Sequence, residues 1–138
     1  MSEDDRTGRE RGPLPNTATL RLATGPLVGP VLCRVVSMVL ARANCPMDRL
    51  DDAMLICDAL SAHAPEHASD GTLSFALSAE DGSFELRLGE LATNAGEDVV
   101  RDSVLPGVGN VLERMTDELS VVPAADGRPE ELVLKLRF

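Results

Sequence analysis

The chain has 138 residues, which fits one domain with a single hydrophobic core and leaves no room for a second. Its formal net charge is -10, and no stretch gathers Lys and Arg into a stripe, so nucleic acid and anionic membranes would repel its surface. Aromatic residues make up only 2% of the chain, so we expect an aliphatic core.

Other general features of the chain indicate a cytoplasmic protein. No apolar run reaches the roughly 20 residues that a membrane span needs, and the N-terminus is charged and polar where a signal peptide would be hydrophobic. The three cysteines, Cys33, Cys45 and Cys57, are an odd number and lack the density of a disulfide framework. We expect them to be reduced and to serve as small core residues.

The first half of the chain predicts a tail, a strand and two helices. Residues 1–16 are charged and nearly free of large apolar side chains, so we expect a disordered tail. Alternating apolar residues over 17–23 predict a half-buried strand. Apolar residues spaced by three and four predict a helix that ends near residue 43, a break at Asn44-Cys45-Pro46, and a second helix over residues 47–64.

A β-hairpin and a loop are predicted next. Residues 72–79 and 83–89 alternate cleanly on both sides of Glu80-Asp81-Gly82, which predicts a hairpin. One face of this hairpin is apolar and the other is polar, so we expect helices to cover only one side of the sheet. Residues 91–103 are irregular and acidic, and we expect them to form a mobile loop that is a candidate lid.

The remaining residues complete an α+β fold. Residues 107–116 predict a short helix, and residues 119–122 and 131–138 predict two strands joined by a turn at Asp126-Gly127. The predicted order is therefore β-α-α-β-β-α-β-β. We expect a two-layer sandwich over residues 17–138, with three helices on one face of a mixed sheet.

Four segments in this order carry a resemblance to a known family. The second helix contains Asp58-Ala59-Leu60-Ser61-Ala62-His63, and the hairpin ends in Gly89-Glu90-Leu91-Ala92. Leu105-Pro106-Gly107-Val108-Gly109-Asn110 precedes the short helix, and Asp126-Gly127 precedes the closing strand. In this order the segments resemble the GHKL-type, or histidine-kinase-like, ATPase domain of bacterial anti-sigma factors, which are serine-protein kinases.

The resemblance implies roles for five positions. Asp58 falls where the family has a Glu that acts as or orients a base, and Ala62 falls where an Asn holds Mg²⁺ through its oxygen. Glu90 stands where the family has the Asp of a turn that recognises adenine. Gly107 and Gly109 match a Gly-x-Gly loop whose amides cradle phosphate. Because Ala62 lacks an oxygen ligand and Glu90 is longer than Asp, the implied nucleotide site is degenerate.

Simpler interpretations of the same residues stay open. A Gly-x-Gly sequence before a helix is often only a tight turn, and Asp58 is more simply a solvated helix residue. His63 and His67 lie beside Glu66 and suggest a metal, but Pro65 prevents the two histidines from sharing a helix face. We therefore expect no metal site. The absence of a Gly-x-Ser-x-Gly elbow argues against an independent hydrolase.

These implications predict a regulatory protein of the anti-sigma type that binds a sigma factor or a STAS-type anti-sigma antagonist. Asp58 would be the relic of a catalytic base. Phosphoryl transfer depends on metal clamping of the phosphates, so the missing ligand at Ala62 argues against kinase activity and against ATP or Mg²⁺ as a working cofactor. Two alternatives stay open, namely a divergent ATP-binding serine kinase of the same type and a dimeric scaffold without nucleotide.

Overall fold

The computed structural model describes residues 15–138, so residues 1–14 of the predicted tail lie outside the described part. Asn16 already takes part in the fold. Its side-chain amide donates to the carbonyl oxygen of Val39 at 2.8 Å, and its carbonyl oxygen accepts a hydrogen bond from the backbone N–H of Ala79 at 3.0 Å. The folded part therefore includes Asn16, just before the predicted boundary at residue 17.

The described residues form an α+β fold. The strands are β1 (Thr17–Ala23), β2 (Thr72–Glu80), β3 (Ser83–Leu91), β4 (Val104–Leu105), β5 (Gly109–Asn110), β6 (Glu118–Val122) and β7 (Glu130–Arg137). The α-helices are α1 (Val28–Arg42), α2 (Met47–His63), α3 (Ala95–Asp102) and α4 (Val111–Met115), and a 3-10 helix covers Pro65–His67. Within residues 15–138, none of these helices is long and apolar enough to cross a membrane.

The five-stranded main sheet has the order β1-β2-β3-β7-β6, and all its pairings are antiparallel. The predicted hairpin is confirmed, with Phe75 opposite Leu88. The predicted mixed sheet is wrong. Helices α1 and α2 form a helical hairpin that returns the chain to the end of the sheet where β1 finished, and Ala23 lies opposite Thr72. Strand β2 must therefore run back along β1.

The β2-β3 turn explains why the hairpin was readable from the sequence. Asp81 and Gly82 both have positive φ values, 52° and 76°, as a two-residue hairpin turn requires. A Cβ on Gly82 would lie 2.7 Å from the carbonyl oxygen of Phe138, so only glycine fits there without a shift of the backbone. The turn therefore fixes the register of β2 and β3 and holds the chain end.

The core lies between the sheet and the helices, and it is aliphatic as predicted. Side chains at alternate positions of β2 and β3 face the helices and are buried. The largest fully buried side chains are Phe75, Leu32, Leu40, Leu60, Leu73, Leu77, Leu86, Leu88, Leu91, Leu112, Leu132 and Leu134. Since all but one of these are leucines, the small aromatic content is compensated by aliphatic packing.

The opposite face of the sheet is polar and carries paired charges. Arg87 contacts Glu85 at 2.9 Å and Glu131 at 3.1 Å, and Lys135 lies 3.7 Å from Glu85. These side chains remain partly exposed, so the pairs add little stability and mainly keep the face solvated. Helices thus cover one side of the sheet, as the alternation predicted.

Residues 91–103 differ from their prediction as an irregular mobile loop. They contain the end of β3 and the eight-residue helix α3, so the described order has one more α-helix than predicted. The short β4-β5 hairpin, which follows these residues, was not predicted either. Val99 of α3 is completely buried in the core. The buried carboxylate of Glu130 accepts hydrogen bonds from the backbone N–H groups of Asn94 and Gly96, at 2.9 and 2.6 Å. Glu130 lies far from α3 in the sequence, so the pattern of residues within 91–103 did not reveal the helix.

The cysteines are free, as the sequence indicates. Cys57 is completely buried on α2. Burial raises the pKa of its thiol well above the ordinary range, so the group stays protonated and acts as a small apolar side chain.

Candidate functional site

A cavity of about 270 Å³ lies between α2 and the β4-β5 hairpin, and we call it the α2 cavity. It brings Asp58 and Ala62, two of the predicted site residues, against the segment that carries the Gly-x-Gly loop. The lining residues are Leu55, Asp58, Ala59, Ala62, His63, Ser103, Val104, Leu105 and Val111. This cavity is therefore the candidate site.

Helix α2 presents Asp58 and Ala62 to the cavity because residues four apart lie on the same helix face. The other side of the helix is held in the core by Ile56 and Leu60. Arg49 fixes the beginning of α2. Its guanidinium contacts the carboxylate of Asp52 at 2.7 Å and that of Asp117 at 2.8 Å. It also donates a hydrogen bond to the carbonyl oxygen of Arg137 at 3.0 Å. The wall formed by α2 is thus rigidly placed.

Most of the cavity lining is apolar. The polar members are Asp58, His63 and Ser103, and the hydroxyl of Ser103 already donates to the carbonyl oxygen of Val99 at 2.7 Å. Asp58 is exposed, and its carboxylate lies 4.0 Å from the thiol of Cys33. Ala62 contributes only a methyl group. An apolar side chain of a ligand suits these walls better than a phosphate chain does.

The Gly-x-Gly segment lies beside the cavity, and neither glycine lines it. Gly107 and Gly109 have φ values of 84° and 92°; Gly107 lies in the turn of the β4-β5 hairpin, and Gly109 is the first residue of β5. The helix predicted to begin at residue 107 begins at Val111, because these left-handed conformations are incompatible with a helix. The helix predicted after the Gly-x-Gly segment is therefore present, but its predicted start is wrong.

The backbone amides at the start of α4 are already occupied. Val111 donates its N–H to the carbonyl oxygen of Ser103 at 2.8 Å, and Glu113 donates to the side-chain oxygen of Asn110 at 3.1 Å. Helix α4 has only five residues, so its dipole is weak. These two amides are not free to cradle a phosphate.

Glu90 lies apart from the α2 cavity. Its φ value is 63°, within an irregularity of β3 between Leu88 and Leu91, and this bulge turns its side chain toward Arg21. The carboxylate accepts hydrogen bonds from Nε and Nη2 of Arg21, both at 2.8 Å. The contact with adenine that the resemblance implied for Glu90 has no support in this arrangement.

We expect the Arg21→Gln substitution to raise the pKa of Glu90. The hydrogen bonds from Arg21, and then its charge, hold the pKa of the Glu90 carboxyl below its ordinary value. Since the pKa is lowered in the folded state, the pair contributes stability at neutral pH, and this contribution is lost as the pH falls through the lowered pKa. A carboxyl NMR titration checks the shift. Arg34→Gln, on the exposed side of α1, is the control and should leave the titration unchanged.

The apolar part of the site was not predicted from the sequence. Val104 and Leu105 are 59% and 42% exposed at the rim of the α2 cavity. Leu105 was placed in the segment that resembles the Gly-x-Gly loop of the family, and Val104 was assigned to no predicted element. Their exposure follows from the β4-β5 hairpin, which lies outside the main sheet.

Comparisons with known proteins do not assign a function to the α2 cavity. No protein-family model matches the chain, and a search of the curated proteins finds no match.

Proposed function

We propose that this protein is a cytoplasmic regulatory protein of the anti-sigma type that acts by binding a protein partner. The observation that carries the proposal is the apolar α2 cavity, where Ala62 contributes only a methyl group at the position for which the resemblance implies a magnesium ligand. The resemblance of the sequence to the GHKL-type domain supplies the partner classes, a sigma factor or a STAS-type anti-sigma antagonist.

Two properties of the cavity disfavour a nucleotide. Its volume of about 270 Å³ is below the range of roughly 300–1,000 Å³ typical of small-molecule sites. Asp58 is the only carboxylate among its lining residues, and Ala62 offers no oxygen at the position where the resemblance implies the ligand of Mg²⁺. A phosphoryl-transfer site would also need free amides or cations around the phosphates.

Several features favour a protein partner. Val104 and Leu105 project two apolar side chains beside a preformed apolar cavity, and such a combination is typical of the anchoring point of an interface. The net charge of -10 favours a partner with a basic surface. A sigma factor, as a DNA-binding protein, is expected to carry such a surface, so we favour it over the STAS-type antagonist.

The Leu105→Asp substitution is expected to weaken binding of the protein partner by at least tenfold. It places a carboxylate at the apolar rim, and the complex would bury this charge without an opposite charge beside it. The measurement is calorimetric titration with purified sigma factors and STAS-type antagonists from the same genome. Met47→Asp is the matched control, since Met47 is an apolar residue that is 72% exposed and does not line the cavity. Binding to neither class, or equal weakening by both substitutions, would contradict the proposal.

The two alternatives predict different results. A divergent kinase should bind Mg-ATP with micromolar affinity and transfer radiolabelled phosphate to a partner, and the Asp58→Asn substitution should abolish the transfer. A dimeric scaffold should sediment as a dimer and bind neither partner class. Either result, obtained with the full chain, would replace the binding function proposed here.

A further inference from the structure

Three metal-ligating side chains converge where the 3-10 helix meets the C-terminal end of α3. One ligand atom from each of Glu66, His67 and Asp102 lies within 4.8 Å of the other two. None of the three lines the α2 cavity. We propose that they form a binding site for a divalent transition-metal ion, which we call the His67 site, and the proposal is independent of the regulatory function above.

The spacing of the central pair fits a shared ion. His67 Nε2 lies 3.3 Å from Asp102 Oδ2, which exceeds the roughly 2.7–2.9 Å of a charge-assisted hydrogen bond. Two ligands that each lie about 2.0–2.1 Å from one tetrahedral ion are about 3.4 Å apart. The ligand atom of the exposed Glu66 lies within 4.8 Å of those of His67 and Asp102.

The donor set selects the class of metal. An imidazole nitrogen with two carboxylates suits Zn²⁺, Mn²⁺, Fe²⁺ or Co²⁺, whereas Mg²⁺ and Ca²⁺ prefer oxygen ligands alone. Two carboxylates also balance the charge of a divalent cation. With three protein ligands, such an ion would keep at least one position for water, so the His67 site resembles open rather than closed metal sites in its ligand count.

The backbone holds His67 before any ion arrives. Its N–H donates to the carbonyl oxygen of Ala64 at 2.9 Å, and its carbonyl oxygen accepts a hydrogen bond from Ala92 at 2.8 Å. Pro65 begins the 3-10 helix that carries Glu66 and His67. A ligand that is already placed loses less conformational entropy on binding, which favours affinity.

Asp102 is also held in place and keeps one oxygen for the ion. It is the last residue of α3, the helix anchored by Glu130. Arg101 lies 3.9 Å from Oδ1 of Asp102 and makes its closer contact, at 2.6 Å, with Asp98. The oxygen that faces His67 is Oδ2, so the neighbouring guanidinium does not occupy the position assigned to the metal.

The test is titration of the full chain with Zn²⁺, Mn²⁺ and Co²⁺, beside Mg²⁺ and Ca²⁺. We expect one transition-metal ion per chain, and we expect His67→Gln and Asp102→Asn each to weaken Zn²⁺ binding by about tenfold or more. His63→Gln is the matched control, because His63 lies four residues earlier at the end of α2 and outside the cluster, and it should leave the affinity unchanged.

Paramagnetic broadening of the unmodified protein by Mn²⁺ keeps the test decisive even if a variant fails to fold. Signals of residues next to His67 and Asp102 should broaden first. The proposal is overturned if Zn²⁺ and Mn²⁺ do not bind saturably, if His67→Gln and His63→Gln behave alike, or if Co²⁺ gives a thiolate charge-transfer band that assigns the ion to cysteine.

Discussion

The Glu130→Ala substitution should lower the free energy of unfolding by about 2–3 kcal/mol and the Tm by about 10 °C. Glu130 is 2% exposed, and its two carboxylate oxygens accept the N–H groups of Asn94 and Gly96 at the start of α3. Removal of the carboxylate leaves these donors without their partner, and the Gly96 amide is buried. Thermal unfolding followed by circular dichroism gives the Tm, and urea unfolding gives the free energy.

The neighbouring residue provides the control for this prediction. Glu131 lies on the opposite face of β7, where it contacts Arg87 at 3.1 Å and is partly exposed. Glu131→Ala should therefore change the stability by less than about 0.5 kcal/mol. Hydrogen exchange of the Glu130→Ala variant should be fastest in α3, and equal effects of the two substitutions would contradict the anchoring role of Glu130.

The second large effect is expected for Phe75→Ala, which should cost about 3–5 kcal/mol. Phe75 is 1% exposed at the centre of β2, between Leu20 on β1 and Leu88 on β3. The leucines around it cannot collapse fully into the space of a phenyl ring, so a cavity remains. Urea unfolding measures the loss, with an unchanged m-value as the sign of an intact fold.

Phe138→Ala is the control for ring removal. Phe138 is only partly buried, at the chain end beside Gly82. Its loss should cost less than half as much as that of Phe75, because less apolar surface returns to water. A similar cost at both positions would show that the β2 centre is not the core of the sheet.

Local patterns predicted the elements that depend on their own residues. The hairpin of β2 and β3 was readable because Asp81-Gly82 suits the turn and because apolar residues alternate on both sides. Helices α1 and α2 were readable because their apolar periodicity extends over 15 and 17 residues. Asp58 and Ala62 lie four residues apart on the predicted second helix, and both line the α2 cavity.

Features that depend on distant partners could not be predicted in this way. Helix α3 depends on Glu130, which lies 34 residues beyond Gly96. The bulge at Glu90 leads to a contact with Arg21, 69 residues earlier. The cluster of Glu66, His67 and Asp102 could not be predicted either, because Asp102 lies 35 residues after His67.

The position of β7 has a consequence for how the protein is made. This strand is the last one in the chain, yet it lies inside the sheet between β3 and β6. A nascent chain on the ribosome can form the β2-β3 hairpin early, but the edge of β3 stays unpaired until β7 has been synthesised and has left the exit tunnel. The sheet therefore closes only after β7 has been made, and the growing chain is the stage at which a chaperone has a strand edge to protect.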